Sequence, residues 1–173
     1  MKAMAGEGQL LLYLDFDGVL HPERVWWHPT VGPYLSDPGE DRLFQHSALL
    51  ERILAPYPDI RIILSTSWVR RYGVAKSAKE LRPALRQRVV GSTINGRMNE
   101  DAFSRLLRGQ QVWADVQKRK PRAWLALDDC PDGWPAQSVD KFIQAHPDQG
   151  LAHPEVLTRF QELLAAMHTK AAT

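Results

Sequence analysis

Asp15 and Asp17 stand directly after the apolar run Leu10–Leu14 and just before Gly18. The run predicts a buried strand of a parallel sheet, because both faces of such a strand are covered. Alternate strand residues point to the same side and lie about 6.6 Å apart, so both carboxylates can address one small ligand. Neighbouring carboxylates repel each other unless a cation lies between them. A surface Asp-Gly turn is the alternative, but it does not explain the second aspartate.

Two further pairs of polar residues follow apolar runs later in the chain. Ser65 and Thr66 close one run, and Asp128 and Asp129 close another. A hydroxyl at the carboxyl end of a strand can bind a phosphate oxygen when it opens a helix. Consecutive acids can supply oxygen ligands to Mg²⁺. Alone, each pair also fits an ordinary helix cap or loop, so the order of all three groups carries the prediction.

Strands and helices alternate along the remaining chain. Apolar periodicity and capping signals predict further strands at 60–64, 88–93, 123–127 and 142–145, and helices at 41–55, 77–87, 100–107, 110–119 and 154–167. Residues 21–40 are predicted to be irregular, Asn95-Gly96 to form a turn, and residues 1–8 and 169–173 to be loose ends. This alternation predicts a three-layer α/β sandwich with a mainly parallel, five-stranded, Rossmann-like sheet. Ligands of such sheets bind beyond the carboxyl ends of the strands.

The three groups, in this order, resemble the motifs of the haloacid dehalogenase (HAD) superfamily in its phosphatase branch. The segments Asp-Phe-Asp-Gly-Val-Leu-His-Pro (residues 15–22) and Ala-Leu-Asp-Asp (residues 126–129) are most similar to those of small bacterial HAD-like domains, and a looser likeness exists to domains linked to RNA repair. The resemblance implies a HAD-like fold over residues 1–173 as a single domain, with its core at about 9–168. Because a core helix uses much of the chain between Leu20 and Ser65, we expect little or no cap domain.

The resemblance also implies a role for each motif residue. Asp15 would be the nucleophile that forms an aspartyl-phosphate, and Asp17 would be the general acid and base. Ser65, with Thr66 as the alternative, would bind the phosphate. A Mg²⁺ ion would be held at Asp15, Asp17 (through its backbone carbonyl), Asp128 and Asp129. Of the last two acids, Asp129 is expected to touch the metal directly and Asp128 through water.

The remaining HAD motif requires one lysine or arginine, and helix direction selects Arg108. A helix that precedes a parallel strand runs antiparallel to it, so its N-terminus lies at the catalytic edge of the sheet. Lys118 to Arg122 would lie at the opposite end, where cations complement the helix dipole. The superfamily more often uses lysine here, but an arginine can clamp phosphate through two hydrogen bonds.

Composition limits the class of protein. The chain has 173 residues, a formal net charge of +2, a single cysteine (Cys130) and no apolar run approaching the length of a membrane helix. We therefore expect a cytoplasmic protein with no internal disulfide and no membrane partner. Residues 61–122 carry 15 lysines and arginines against 4 acidic residues, whereas the rest of the chain carries 7 against 16. The basic region is either a set of solvated helix faces or a surface that attracts phosphorylated substrates or nucleic acid.

These features favour a Mg²⁺-dependent phosphatase that hydrolyses a phosphomonoester, possibly a large one because small lids accompany open sites in this superfamily. The alternatives are a noncatalytic domain that binds nucleic acid or protein, and a phosphotransferase acting on RNA ends. Four clustered acids argue against the noncatalytic alternative, because unpaired carboxylates destabilise a fold. The sequence gives no indication of the substrate's identity or of the oligomeric state.

Overall fold

The computed structural model describes residues 4–37, 39–94 and 100–172. Its seven strands are β1 (Leu10–Leu14), β2 (Val25–His28), β3 (Gly32–Leu35), β4 (Ile60–Leu64), β5 (Val89–Ser92), β6 (Ala123–Asp128) and β7 (Phe142–Gln144). Its six α-helices are α1 (Ser47–Leu54), α2 (Trp68–Lys79), α3 (Pro83–Arg86), α4 (Glu100–Ser104), α5 (Arg108–Arg119) and α6 (Pro154–Ala172). A 3₁₀ helix covers Ala136–Lys141.

Five strands form one parallel sheet in the order β5-β4-β1-β6-β7. Strand β1 is central, with β4 on one side and β6 on the other. Leu14 pairs with Leu64 and with Leu127, so the three central strands end level with one another. The α/β fold with a five-stranded parallel sheet that was predicted from the sequence is confirmed.

Alternate residues of β1 enter different hydrophobic cores, which makes the fold a three-layer sandwich. Leu10, Leu12 and Leu14 pack in the larger core, which includes buried residues of α1 and α6. Leu11 and Tyr13 face the smaller core on the other side, with Val112 and Val116 of α5. All five β1 residues are buried, as expected for a strand covered on both faces.

Several helix boundaries differ from the prediction. Helix α1 begins at Ser47 rather than near 41, because Phe44 has a positive φ of 57° and interrupts the chain before it. The helix predicted to start at Ser77 begins earlier: non-helical backbone at Gly73 (φ 77°, ψ 165°) divides α2 into two segments, and Ser77, in the second, donates a hydrogen bond to the Gly73 carbonyl. Gly109 was predicted to separate two helices, yet it lies in the first turn of α5.

The segment predicted to be irregular contains an antiparallel hairpin, β2–β3, in which Trp26 pairs with Tyr34 and Trp27 with Pro33. The predicted loose C-terminal end is also wrong in part, since α6 continues to Ala172. The predicted turn at Asn95-Gly96 lies outside the described residues. Among the helices that the structure describes, none is long and apolar enough to cross a membrane.

Candidate active site

The register of the three central strands brings the predicted motif residues to one edge of the sheet. Asp15 follows β1, Ser65 follows β4, and Asp128 is the last residue of β6. The Asp15 amide donates to the Leu127 carbonyl at 3.1 Å, and the Ser65 amide donates to the Leu14 carbonyl at 2.9 Å. These ladder bonds extend the sheet by one residue and fix the three side chains beside one another.

Asp15, Asp128 and Asp129 form an acidic cluster in which one ligand atom from each residue lies within 4.8 Å of the others. Gly18 leaves room for the Asp129 carboxylate. Its φ is +71°, and a Cβ added there would meet the Asp129 carboxylate oxygen at 2.3 Å. Glycine is therefore required at position 18 both for the turn and for the close approach of the acid.

Burial gives two of these carboxyls an unusual affinity for protons. Loss of hydration, opposed by the positive charge of Arg108, raises the pKa of Asp15 from its ordinary 3.8 to about 7. Loss of hydration and the charge of Asp15 raise the pKa of Asp128 to about 8. Burial also raises the pKa of Asp129. Carboxylates under this strain would be stabilised by an added cation.

Arg108 lies between the two most buried acids. Its Nη2 is 3.4 Å from an Asp15 oxygen, its Nε is 3.4 Å from an Asp128 oxygen, and its Nη1 donates to the Ser65 carbonyl. Burial disfavours the charge of this guanidinium, but Asp15 and Asp128 outweigh that effect and raise the pKa of Arg108. The side chain is therefore a fixed positive charge in the cluster.

Arg108 is the first residue of α5, and contacts near both ends of this helix fix its position. Near its start, the Gly109 amide donates to the Asp132 carbonyl at 2.9 Å, and a Cβ on Gly109 would meet the Trp134 amide nitrogen at 2.4 Å. Near its end, Asp115 accepts hydrogen bonds from Tyr13 of β1 at 2.9 Å and from Arg119 at 2.6 Å. The helix therefore runs as predicted, with its N-terminus at the site.

The two predicted hydroxyls have different surroundings. The Ser65 hydroxyl is buried and has no hydrogen-bond partner among the described residues. The Thr66 hydroxyl accepts the Trp68 amide at 3.4 Å, in the first turn leading into α2. A buried hydroxyl without a partner costs stability unless a ligand satisfies it, so Ser65 is the freer of the two.

Asp17 is held by two side chains that sequence reasoning did not assign to the site. Its Oδ1 accepts the indole N–H of Trp68 at 2.9 Å and lies 3.0 Å from Nε2 of His21. Nδ1 of His21 accepts the Phe44 amide at 3.1 Å, so we assign the ring proton to Nε2, which then donates to Asp17. Trp68 lies three residues after Ser65, just beyond the end of β4. Because β4 pairs with β1, this position predicts that Trp68 lies near Asp17, which follows β1.

A family model described as the HAD domain in Swiss Army Knife RNA repair proteins matches residues 11–156. The chain belongs to this family. The match covers every motif residue discussed above and confirms the resemblance to the HAD superfamily. Membership makes the protein a HAD-superfamily hydrolase. No curated protein and no solved structure matches the chain.

The acidic cluster of this HAD domain has the chemistry of a divalent-cation site. The Asp128 Oδ2 is buried without a hydrogen-bond partner among the described residues, and it lies 3.4 Å from the Arg108 Nε. Mg²⁺ prefers carboxylate, carbonyl and water oxygens. Asp15, Asp128 and Asp129 therefore fit such an ion. The Asp17 carboxylate is not part of the cluster, and the contribution of its carbonyl stays a prediction, as does the division between Asp128 and Asp129.

Proposed function

We propose that this HAD domain is a Mg²⁺-dependent phosphatase that hydrolyses a phosphomonoester through an aspartyl-phosphate. The observation that supports the proposal most strongly is the convergence of Asp15, Asp128 and Asp129 within 4.8 Å, beside Arg108. Three acids and one arginine at the carboxyl edge of a parallel sheet are the groups that phosphoryl transfer uses.

Asp15 is the proposed nucleophile, and Asp17 is the proposed acid and base. A carboxylate oxygen of Asp15 attacks phosphorus, and the bond from phosphorus to the ester oxygen breaks while Asp17 protonates the departing oxygen. Water then attacks the same phosphorus after giving its proton to Asp17. The bond from phosphorus to Asp15 breaks, which releases inorganic phosphate and restores both aspartates.

The remaining residues bind the transferring group. Arg108 offers its guanidinium to the phosphoryl oxygens, and the unpartnered Ser65 hydroxyl donates to one of them, with Thr66 as the alternative. Asp15, Asp128 and Asp129 would hold Mg²⁺, which supplies positive charge against the phosphoryl oxygens in the transition state. The Asp17 side chain is about one-quarter exposed, at 24%, so it can reach a departing oxygen.

Hydrolysis of p-nitrophenyl phosphate tests the proposal. We expect turnover with Mg²⁺, loss of turnover with a chelator, and recovery on adding Mg²⁺ again. Asp15→Asn should abolish turnover while the far-ultraviolet circular dichroism is unchanged, because an amide is a poor nucleophile. Full activity of Asp15→Asn would exclude the assigned nucleophile, and equal rates with and without Mg²⁺ would exclude the metal's role.

RNA ends are the proposed substrates, since the family description names RNA repair proteins. A panel of 3′- and 5′-phosphorylated RNA, nucleotides, phosphopeptides and sugar phosphates tests this part. We expect the highest kcat/KM for a phosphorylated RNA end. Transfer of the phosphate to an added alcohol or nucleotide instead of water would favour a phosphotransferase, and binding of RNA with no turnover of any substrate would favour a noncatalytic domain.

A further inference from the structure

A cavity of about 460 Å³ opens at Asp17, between the β2–β3 hairpin and the start of α2. We call it the hairpin groove; its walls include Trp27, Pro33, Arg70, Arg71 and Tyr72. Asp17 is the proposed donor of a proton to the departing oxygen. Whatever the departing oxygen belongs to must therefore lie in or beside this groove.

The hairpin side of the groove is flat and aromatic. Trp27 is 40% exposed although it pairs with Pro33 across the hairpin. The Arg71 guanidinium lies over the Trp27 ring, 4.0 Å from its centroid, and covers part of it. An exposed tryptophan braced by a guanidinium is a surface on which a planar ring can stack, because both groups present flat faces.

The α2 side of the groove is positively charged. Arg70 and Arg71 are exposed, and Asp17 is the one carboxylate among the described lining residues. Arg70 and Ser67 also line the neighbouring cavity, which contains Thr66 and Arg108. Positive charge therefore continues from the phosphate-binding residues into the groove. A ligand that follows this path carries negative charge beyond the phosphate that is cleaved.

We infer that the hairpin groove binds the terminal nucleoside of a single-stranded RNA whose end phosphate is removed. Its base stacks on Trp27, and the next phosphate along the strand lies at Arg70 and Arg71. The inference rests on the proposed function, and it adds the part of the substrate that the enzyme selects. A sugar phosphate lacks the planar ring that stacks on Trp27. The phosphate ester of a neutral aromatic alcohol lacks the second negative charge that lies at Arg70 and Arg71.

Two substrates with different leaving groups test the selectivity. One is a six-residue uridine oligonucleotide with a 3′-phosphate, and the other is glycerol 3-phosphate. We expect Trp27→Ala and Arg71→Ala to lower kcat/KM for the oligonucleotide about tenfold, through KM, as for loss of one stacked base. For glycerol 3-phosphate, both variants should have the kcat/KM of the wild type. Trp27→Phe should keep most of the wild-type kcat/KM for the oligonucleotide. Arg159→Ala, at an exposed position on α6, is the matched control.

A binding measurement separates this inference from the proposed function. The same oligonucleotide, labelled with a fluorophore, is titrated with Asp15→Asn protein and followed by anisotropy, which requires no turnover. We expect Trp27→Ala in that background to weaken binding about tenfold and Arg159→Ala to leave it unchanged. Equal binding by the Trp27 variant and the parent would overturn the groove assignment even if hydrolysis is confirmed. Weakened binding with no hydrolysis by the wild type would support the groove and overturn the proposed function.

Discussion

Asp17 is the residue whose environment most directly links the fold to the proposed acid catalysis. Two hydrogen bonds from described residues fall on its Oδ1, from Trp68 at 2.9 Å and His21 at 3.0 Å. An oxygen that accepts two N–H groups is a poor place for a proton, so the proton of the acid form belongs on Oδ2. Trp68 and His21 thereby leave Oδ2, the oxygen that neither of them contacts in the structure, as the site of the acidic proton.

Trp68→Phe should lower kcat about tenfold for an alkyl phosphate and much less for p-nitrophenyl phosphate. The reason is that a poor leaving group needs protonation in the transition state, whereas p-nitrophenolate leaves without it. Phenylalanine keeps the aromatic packing against Phe16 and Phe44. The ratio of the two kcat values, measured for wild type and variant, is the readout. An unchanged ratio would show that the Trp68 N–H does not act through Asp17.

Arg108→Ala should lower kcat/KM on the order of 100-fold, or about 3 kcal/mol, as does removal of one electrostatic stabiliser elsewhere. Arg108 is the positive side chain within 3.4 Å of both Asp15 and Asp128. Lys118→Ala is the matched control, because Lys118 is exposed in the last turn of the same helix. Steady-state kinetics at saturating Mg²⁺ check the prediction. A loss with Lys118→Ala and none with Arg108→Ala would contradict the assigned helix end.

Asp128 allows a pH prediction. Its pKa is about 8 in the folded protein against an ordinary 3.8, so the folded state binds the proton more tightly than the unfolded state. Stability present at low pH is therefore lost as the pH rises from about 4 through 8. In the metal-free protein, Asp128→Asn should flatten this decline and raise Tm at pH 8, by about 2–4 °C for each kcal/mol of unfolding free energy that is recovered.

Thermal melts of both proteins from pH 5 to pH 8, in chelator, measure the effect. The variant's amide oxygen can still accept the Cys130 amide, as Asp128 does at 3.0 Å, so the loop after β6 keeps that bond. Added Mg²⁺ should raise the Tm of the wild type more than that of the variant, because one ligand is missing. Parallel pH dependences for the two proteins would show that Asp128 is not the titrating group.

At the scale of elements, the three central strands were predictable because each is a largely apolar run. The residues of β1, β4 and β6 are almost all buried, so composition alone indicates their positions. Their parallel pairing then brings Asp15, Ser65 and Asp128 together. The direction of α5 was predictable because a helix that precedes a parallel strand runs antiparallel to it. This rule placed Arg108, at the start of α5, at the catalytic edge of the sheet.

The errors arise where distant contacts override local signals. Phe44 takes a left-handed conformation where its amide bonds to His21 and its ring packs on Phe16 and Trp68, none of which is near in sequence. Gly109 does not end a helix. It lies in the first turn of α5, where the absence of a side chain leaves room for the backbone of Trp134. The β2–β3 hairpin has strands of four residues with exposed aromatics, so it lacks the alternation that indicates a strand.

Gly109→Ala should therefore impair catalysis through the position of α5. An added Cβ would lie 2.4 Å from the Trp134 amide nitrogen, so the helix start and Arg108 must shift. We expect kcat/KM to fall at least tenfold, together with a lower Tm, although alanine is the better helix former. Unchanged kinetics in Gly109→Ala would show that the loop at 132–134 yields freely.

At the scale of the whole molecule, opposite charges are divided between the acidic cluster and its surroundings. Residues 61–122 carry 15 basic residues against 4 acidic ones, and they include Arg70 and Arg71 of the hairpin groove as well as Arg108. The three acids of the cluster lie outside this stretch: Asp15 follows β1, Asp128 ends β6 and Asp129 follows it. A polyanion would be attracted by the basic region, and added salt should weaken its binding more than that of a monoanion.

The central claim is that Asp15 receives the phosphoryl group. Acid quenching during turnover of ³²P-labelled substrate with Mg²⁺, followed by peptide mapping, tests it directly. We predict ³²P on the peptide containing Asp15, loss of that label in mild base, as expected for an acyl phosphate, and no label on Asp15→Asn. Turnover at the wild-type rate by Asp15→Asn, or label on a peptide without Asp15, would contradict the account.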